Sequence, residues 1–301
     1  CSGIGDAIPT VLTMTVVPIL GAGSSMADYR IGFKWWALII AVVFVISELV
    51  CVACVPERPV ACDEKPGKIS DMFKALFKND QAMTVVVSII LVYTSLNICG
   101  NLVLYFFRFD VGNEGAYSIF AAVAFAAQVL VMMVIPLLRK RFSKSQLFIS
   151  GFIIQIAGFA VILIMAFAKL YTPQSWYILC LPGILIYLGY GMLNVIMTIF
   201  LSDSVDYGEV MNGTREESVI FSMQTFTVKL ASGVAVFLAG LVVDWIHLDT
   251  AAAVQTQDTL DALRMWMTIP SVILLIVGIF VFKRFYKLDD TRMEEIKSKL
   301  N

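Results

Sequence analysis

The sequence predicts an all-α, polytopic membrane protein with about eight transmembrane helices, and three observations carry that reading. The 301 residues are 59% hydrophobic and only 15% charged, whereas soluble domains carry about a quarter of their residues as charges. Apolar runs long enough to cross about 30 Å of hydrocarbon recur from one end to the other. These runs show no period-two alternation. Hydrocarbon offers the backbone no hydrogen bonds, so a span must be a helix or part of a closed barrel, and the pattern selects helices.

The spans fall at about 3–21, 35–56, 81–107, 116–138, 146–168, 176–200, 218–245 and 264–282. Lys and Arg in the connections orient them. The ends 57–80, 139–145, 201–217 and 283–301 hold 16 of the 22 basic residues. Arg30, Lys34, Arg108, Lys169 and Arg264 fall on the other side, and all five tryptophans lie there too, as an outer aromatic belt would. The basic side is therefore expected to be cytoplasmic, with the C-terminus on it. The longest cytoplasmic connection, 57–80, separates two helices (1–56) from six (81–283), and a tail follows at 284–301. Six helices after a long loop have the shape of one half of a two-bundle transporter. If the halves are equal, residues 1–56 are the last two helices of the N-terminal bundle. The chain, which begins without methionine inside an apolar stretch, is then expected to lack about the first four.

Several function classes are excluded. A net charge of −1 gives no hint of a nucleic-acid or anionic-substrate partner. Cys51 and Cys54 have metal or redox spacing, but no second pair follows and the chain holds one histidine, so they read as small residues at a helix end. No metal cluster, phosphate loop or nucleophile–base pair is found; no catalytic residue, metal site or cofactor is expected.

Polar residues at membrane depth carry the functional signal. Lys229 lies near the centre of the 218–245 span, several turns from either end. Insertion of a basic residue there costs about 2.5–3.5 kcal/mol. Ser218, Ser222, Thr225, Lys229 and Ser232 recur at steps of four and three and form one polar stripe, with Gly233 beside it. Such a stripe faces protein or a water-filled cavity. Asp6 and Glu48 are read as the only acids well inside spans, and both are candidate counter-charges. A second signal is the acidic loop "LSDSVDYGEVMNGTREES", 201–218, where Asp203, Asp206 and Glu209 precede a lone Arg215. It cuts against the basic bias of the other inner connections and reads as a charge-paired latch. Asn97, Asn101, Asn194 and Gln155 are expected to bond neighbouring helices. Gly183, Gly189 and Gly191 mark close packing.

"DSVDYGEVMNGTREESVIFSMQTFTVKLASG" resembles the hallmark region of the glycoside–pentoside–hexuronide:cation symporters, within the major facilitator superfamily. The match lies at Asp203, Asp206, Tyr207, Gly208, Glu209, Arg215, Glu217, Gln224 and Lys229. "LFKNDQ", 76–81, and "RFYKLDDTRMEEIKSKL", 284–300, resemble that family's middle loop and amphipathic tail. The resemblance implies a major facilitator helical bundle and secondary active transport of a sugar or glycoside, coupled to Na⁺ or H⁺, by a monomer in the cell membrane. It places Lys229, Thr225 and Gln224 at the substrate or cation site, with Asn194 where the family carries an aromatic residue. It places Asp203, Asp206, Glu209 and Arg215 at a cytoplasmic gate between the halves. The family's main cation-binding acids fall on helices ahead of residue 1. Two other readings share the observations: the same scaffold carrying a lysolipid or organic anion, and a non-transporting scaffold or sensor.

Overall fold

The computed structural model describes residues 12–13, 16–22, 26–54, 77–213, 217–250, 252 and 254–300. The described residues form helices joined by short connections. Seven of these helices are long and apolar enough to cross a membrane. The expected span 3–21 falls largely outside the described residues. The chain divides into two compact units, 1–67 and 68–301.

In the first unit, α1 covers Met26–Cys54. Its apolar stretch from Phe33 to Cys54 contains no buried residue. Cys51 and Cys54 are free and exposed at its end, and Glu48 is exposed on it.

The second unit holds six spanning helices: α2 (Asp80–Tyr105), α3 (Ala116–Leu138), α4 (Lys144–Phe167), α5 (Cys180–Asn212), α6 (Glu217–Trp245) and α7 (Gln257–Phe285). The tail helix α8 follows at Asp290–Leu300. Their starts are chemically marked. Asn79 caps α2 by accepting the Ala82 N–H at 2.9 Å. Ser143 and Gln146 close a reciprocal capping box at α4, and Thr256 caps α7.

Two boundaries depart from expectation. After Tyr105 the chain continues as a π-helical turn, Phe106–Val111, that ends on Gly112. The 176–200 span runs on to Asn212, so most of the stretch read as a loop is helix. Gly213, at φ 72°, ends it in the left-handed conformation that favours glycine. The charges in this extension, Asp203, Asp206 and Glu209, have interaction partners, so they do not stop the helix.

Packing follows membrane rules, with no hydrophobic drive between helices and contact achieved by close approach. α4 and α5 meet at Gly189, where an added Cβ would stand 2.6 Å from the Gln155 nitrogen and the Gly151 carbonyl. α2 and α7 are tied by a reciprocal bond. Ser95 Oγ donates to the Ser271 carbonyl at 3.1 Å, and Ser271 Oγ returns to the Ser95 carbonyl at 2.8 Å. Phe148, Phe200, Phe282 and Tyr286 fill the basic end of the core with ring centroids 4.4–5.2 Å apart. The intramembrane amides behave differently from expectation. Asn97 and Asn101 donate to carbonyls four residues back on their own helix, each at 2.7 Å. Gln155, fully buried, makes no hydrogen bond through its amide. It lies against Gly189, whose backbone groups are already used within α5.

The far end holds a network that sequence reasoning missed. Arg264, read as an outer-side charge, is inside α7 with 3% of its side chain exposed. Its Nε and Nη2 grip Asp110 at 2.9 and 2.5 Å, and its Nη1 reaches Asp261 at 2.7 Å. The Tyr171 hydroxyl donates to the same Asp110 carboxylate at 2.5 Å. Burial, and then the Asp110 charge, push the Tyr171 phenol up, which keeps it a donor. This bidentate pair joins the π-turn, α7 and the α4–α5 connection. Arg264→Met should lower stability by about 3–5 kcal/mol, since it strands a buried carboxylate. Adding Asp110→Leu should restore most of that loss. Thermal unfolding of the detergent-solubilised protein reads both.

Candidate functional site

The polar stripe of α6 is a face in the structure. Ile220, Met223, Thr227, Ala231, Ala235, Ala239 and Val242 are buried, and they pack this helix mainly on α2. Ser218, Ser222, Thr225 and Lys229 are exposed on the opposite side, with Ser232 half-buried at its border, whereas Gln224, half-buried, stands on the same side of the helix as Ile220, Thr227 and Ala231. The small residues on the buried side bring α6 close to α2. Lys229 has no room in that seam, and no described residue pairs with its ammonium. Thr225 Oγ1 bonds back to the Phe221 carbonyl at 3.3 Å, the usual resting partner of a helical threonine.

Asn194 is engaged elsewhere. Its Nδ2 donates to the Tyr93 hydroxyl at 2.6 Å and lies 3.5 Å from the Tyr190 hydroxyl. The two tyrosine rings meet edge-on at 5.6 Å. This half-buried cluster joins α5 to α2, and no hydrogen bond links it to Lys229, Thr225 or Gln224. The structure therefore separates the four expected substrate-site residues: Lys229 and Thr225 lie on the stripe of α6, Gln224 on the other side of that helix, and Asn194 in the cluster on α5.

The expected gate is also divided. Asp203 is 5% exposed, and its carboxylate accepts from Lys144 Nζ in the same unit. Asp206 and Glu209 stand half-buried on the same helical extension. Arg215 lies outside the described residues. Asp203 thus joins α5 to α4 inside the unit, a role not foreseen for it, because its partner is 59 residues away and was read as one of the connection charges.

The tail belongs to this network. Asp290 lies 3.5 Å from Lys144 and 3.3 Å from Arg139. Leu288, Met293 and Ile296 pack on Tyr207, Val210 and Tyr286, which seats α8 on the extension of α5. Two surface clefts, of about 440 and 420 Å³, flank this region. Neither is bordered by Lys229, Thr225, Gln224 or Asn194.

A family model described as MFS/sugar transport protein matches residues 3–290. The chain belongs to this family. MFS/sugar transport members similar to it include the raffinose carrier protein of Pediococcus pentosaceus, 24% identical over 99% of this chain and 46% of that protein. The isoprimeverose transporter of Lactiplantibacillus pentosus is 25% identical over 95% of this chain and 58% of its own length. The uncharacterized symporter YjmB of Bacillus subtilis is 24% identical over 97% and 61%. The chain thus spans about half to three-fifths of these relatives. In this family member the six helices of the second unit, with their charged ends and apolar flanks, form a multi-pass bundle of the major facilitator type.

The tail contact has a pH signature. Burial pulls the Asp290 carboxyl up, but Arg139 and Lys144 more than offset it, so its pKa lies below the ordinary value of 3.8. A carboxyl depressed in the folded state contributes stability above its unfolded pKa and loses it as pH falls through the folded one. With a label at Ser298→Cys, fluorescence anisotropy should show α8 loosening as pH drops below about 4. Asp290→Asn should loosen the tail at neutral pH and flatten that acid response.

Proposed function

We propose that the protein carrying this chain is a secondary active transporter. It moves a sugar or glycoside across the cell membrane, coupled to Na⁺ or H⁺, by alternating access of a midplane site. Lys229 is the observation that carries the reading. A lysine at mid-span on an exposed polar face costs too much to persist against lipid. A helix retains it where water, solute or a counter-charge meets it. Its ammonium donates three hydrogen bonds, while the Thr225 hydroxyl one turn away both donates and accepts; together they match a polyhydroxylated solute. As a fixed charge, Lys229 also sets where a mobile cation is able to sit. The printed names of the raffinose and isoprimeverose relatives support a saccharide cargo. The concentration of basic residues at the α8 end supports a cytoplasmic C-terminus.

The test is uptake by the complete protein in right-side-out vesicles, with raffinose and isoprimeverose as first substrates. Uptake should rise with an imposed Na⁺ or H⁺ gradient and collapse with the matching ionophore. Lys229→Ala should reduce it at least about tenfold, the scale of one lost charged contact at a desolvated site. Unchanged uptake by that variant would remove the role given to the lysine.

A further inference from the structure

A groove of about 420 Å³ opens where α2 begins and α7 ends. Its walls are Met83, Val87, Val281 and Phe285, and its rim carries Asp80 and Lys287. We infer that it is a phospholipid site that selects an ethanolamine headgroup. The lipid's ammonium sits on Asp80, its phosphate on Lys287, and one acyl chain runs along the apolar wall.

Position is the first argument. Asp80 is the first residue of α2 and Phe285 the last of α7, so the rim stands where two spanning helices leave the hydrocarbon. Val87 lies about two turns inward from Asp80, roughly 10 Å at 1.5 Å per residue, among the acyl chains. Polar and apolar parts are segregated along the groove in the order a lipid presents them.

Charge is the second. Asp80 and Lys287 stand 3.9 Å apart with 55% and 61% of their side chains exposed. A pair this open and this loose contributes little by itself. A headgroup carrying both signs exchanges that one contact for two and leaves neither residue unmatched. An anionic glycerol headgroup would set its phosphate against Asp80 as well as Lys287. A choline headgroup matches both charges but has no N–H to donate to the carboxylate.

The third argument is that the two charges are held in register. Gln81, 1% exposed, donates from Nε2 to Asp80 Oδ2 at 2.8 Å. Its Oε1 accepts the Lys287 N–H at 2.8 Å, and its Nε2 reaches the Phe285 carbonyl at 3.3 Å. One buried amide therefore fixes both the carboxylate and the backbone that carries the lysine. This inference rests on the groove and its charged rim and does not depend on sugar transport.

Native mass spectrometry of the complete protein tests it, using mixed micelles of dioleoyl phosphatidylethanolamine, phosphatidylcholine and phosphatidylglycerol at equal fractions. Bound ethanolamine lipid should exceed each of the others by about fivefold, the scale of one ordinary net hydrogen bond at an exposed site. Asp80→Asn should bring it down to the choline level, and Lys287→Gln should lower retention of all three. Val87→Trp should block the groove and remove the adduct. Melting curves without added lipid identify any variant that fails to fold; Lys287→Gln and Val87→Trp then decide in place of Asp80→Asn. Equal retention of the three headgroups by the unmodified protein, or an ethanolamine preference that survives Asp80→Asn, overturns the assignment.

Discussion

The contact between Lys144 and Asp203 fixes the architecture of the six-helix unit at its basic end. Lys144 is the first residue of α4, where unpaired N–H groups and the helix dipole already make the potential positive. A cation there is unfavourable twice over, since its side chain is also 8% exposed. Asp203 offsets both penalties, and Asp290 adds a second carboxylate from the tail. The ion pair has structural consequences. It requires α5 to remain helical past the hydrocarbon as far as Asp203, and it gives the tail a charge to dock on. Tyr207 and Val210, one and two turns further along α5, then become the seat for α8.

The opposite end uses the same chemistry on different elements. Asp110, Arg264, Tyr171 and Asp261 form a hydrogen-bonded cluster, buried at Asp110 and Arg264 and open to solvent at Asp261. The π-turn positions Asp110 for it. Between the two networks the helices are held by contact geometry, through the glycine crossing of α4 and α5 and the paired serines of α2 and α7. Burying an ion pair seldom gains much net stability, but breaking one costs several kcal/mol. Pairs at both ends therefore specify which helix stands beside which, while the middle supplies dispersion. This division suits a bundle in lipid, where apolar surface alone selects no particular neighbour.

The spans were legible because hydropathy is a property of single residues summed over a window. The limits of α3 came out as 116–138, matching Ala116–Leu138, since polar connections bracket it closely. The reach of α5 to Asn212 was not legible, because charge density imitates a loop unless each charge's partner is known. For the same reason the pairing of Asp203 with Lys144, and of Arg264 with Asp110, is not visible in the sequence. Both partners are distant in sequence, 59 and 154 residues away. The stripe on α6 was legible as one face because periodicity alone defines it. Periodicity did not reveal that Asn194 bonds Tyr93 and stands apart from that stripe. The asparagines bonding back to their own helix show a similar limit, since a polar side chain in a span satisfies itself locally when geometry allows.

The two lysines, 144 and 229, make the functional argument sharper than either does alone. Both are cations on helices that cross the membrane. Lys144 lies where the chain supplies two carboxylates, and the helix packs around it. Lys229 lies on the side of α6 that faces away from α2, on a helix whose opposite side is lined with alanine, threonine and other compact residues suited to tight packing. A lysine whose role was to hold this unit together would have been drawn into that seam with an acid opposite, as Lys144 was. The sequence instead spends its in-unit acids at the ends and leaves Lys229 with hydroxyls along one exposed line. Selection for stability alone would replace such a residue with leucine, because the substitution removes an insertion penalty and breaks no pair among the described residues. What keeps a cation at that position must therefore come from outside the packing of the six helices, as a solute, a mobile ion or a counter-charge that meets the open face.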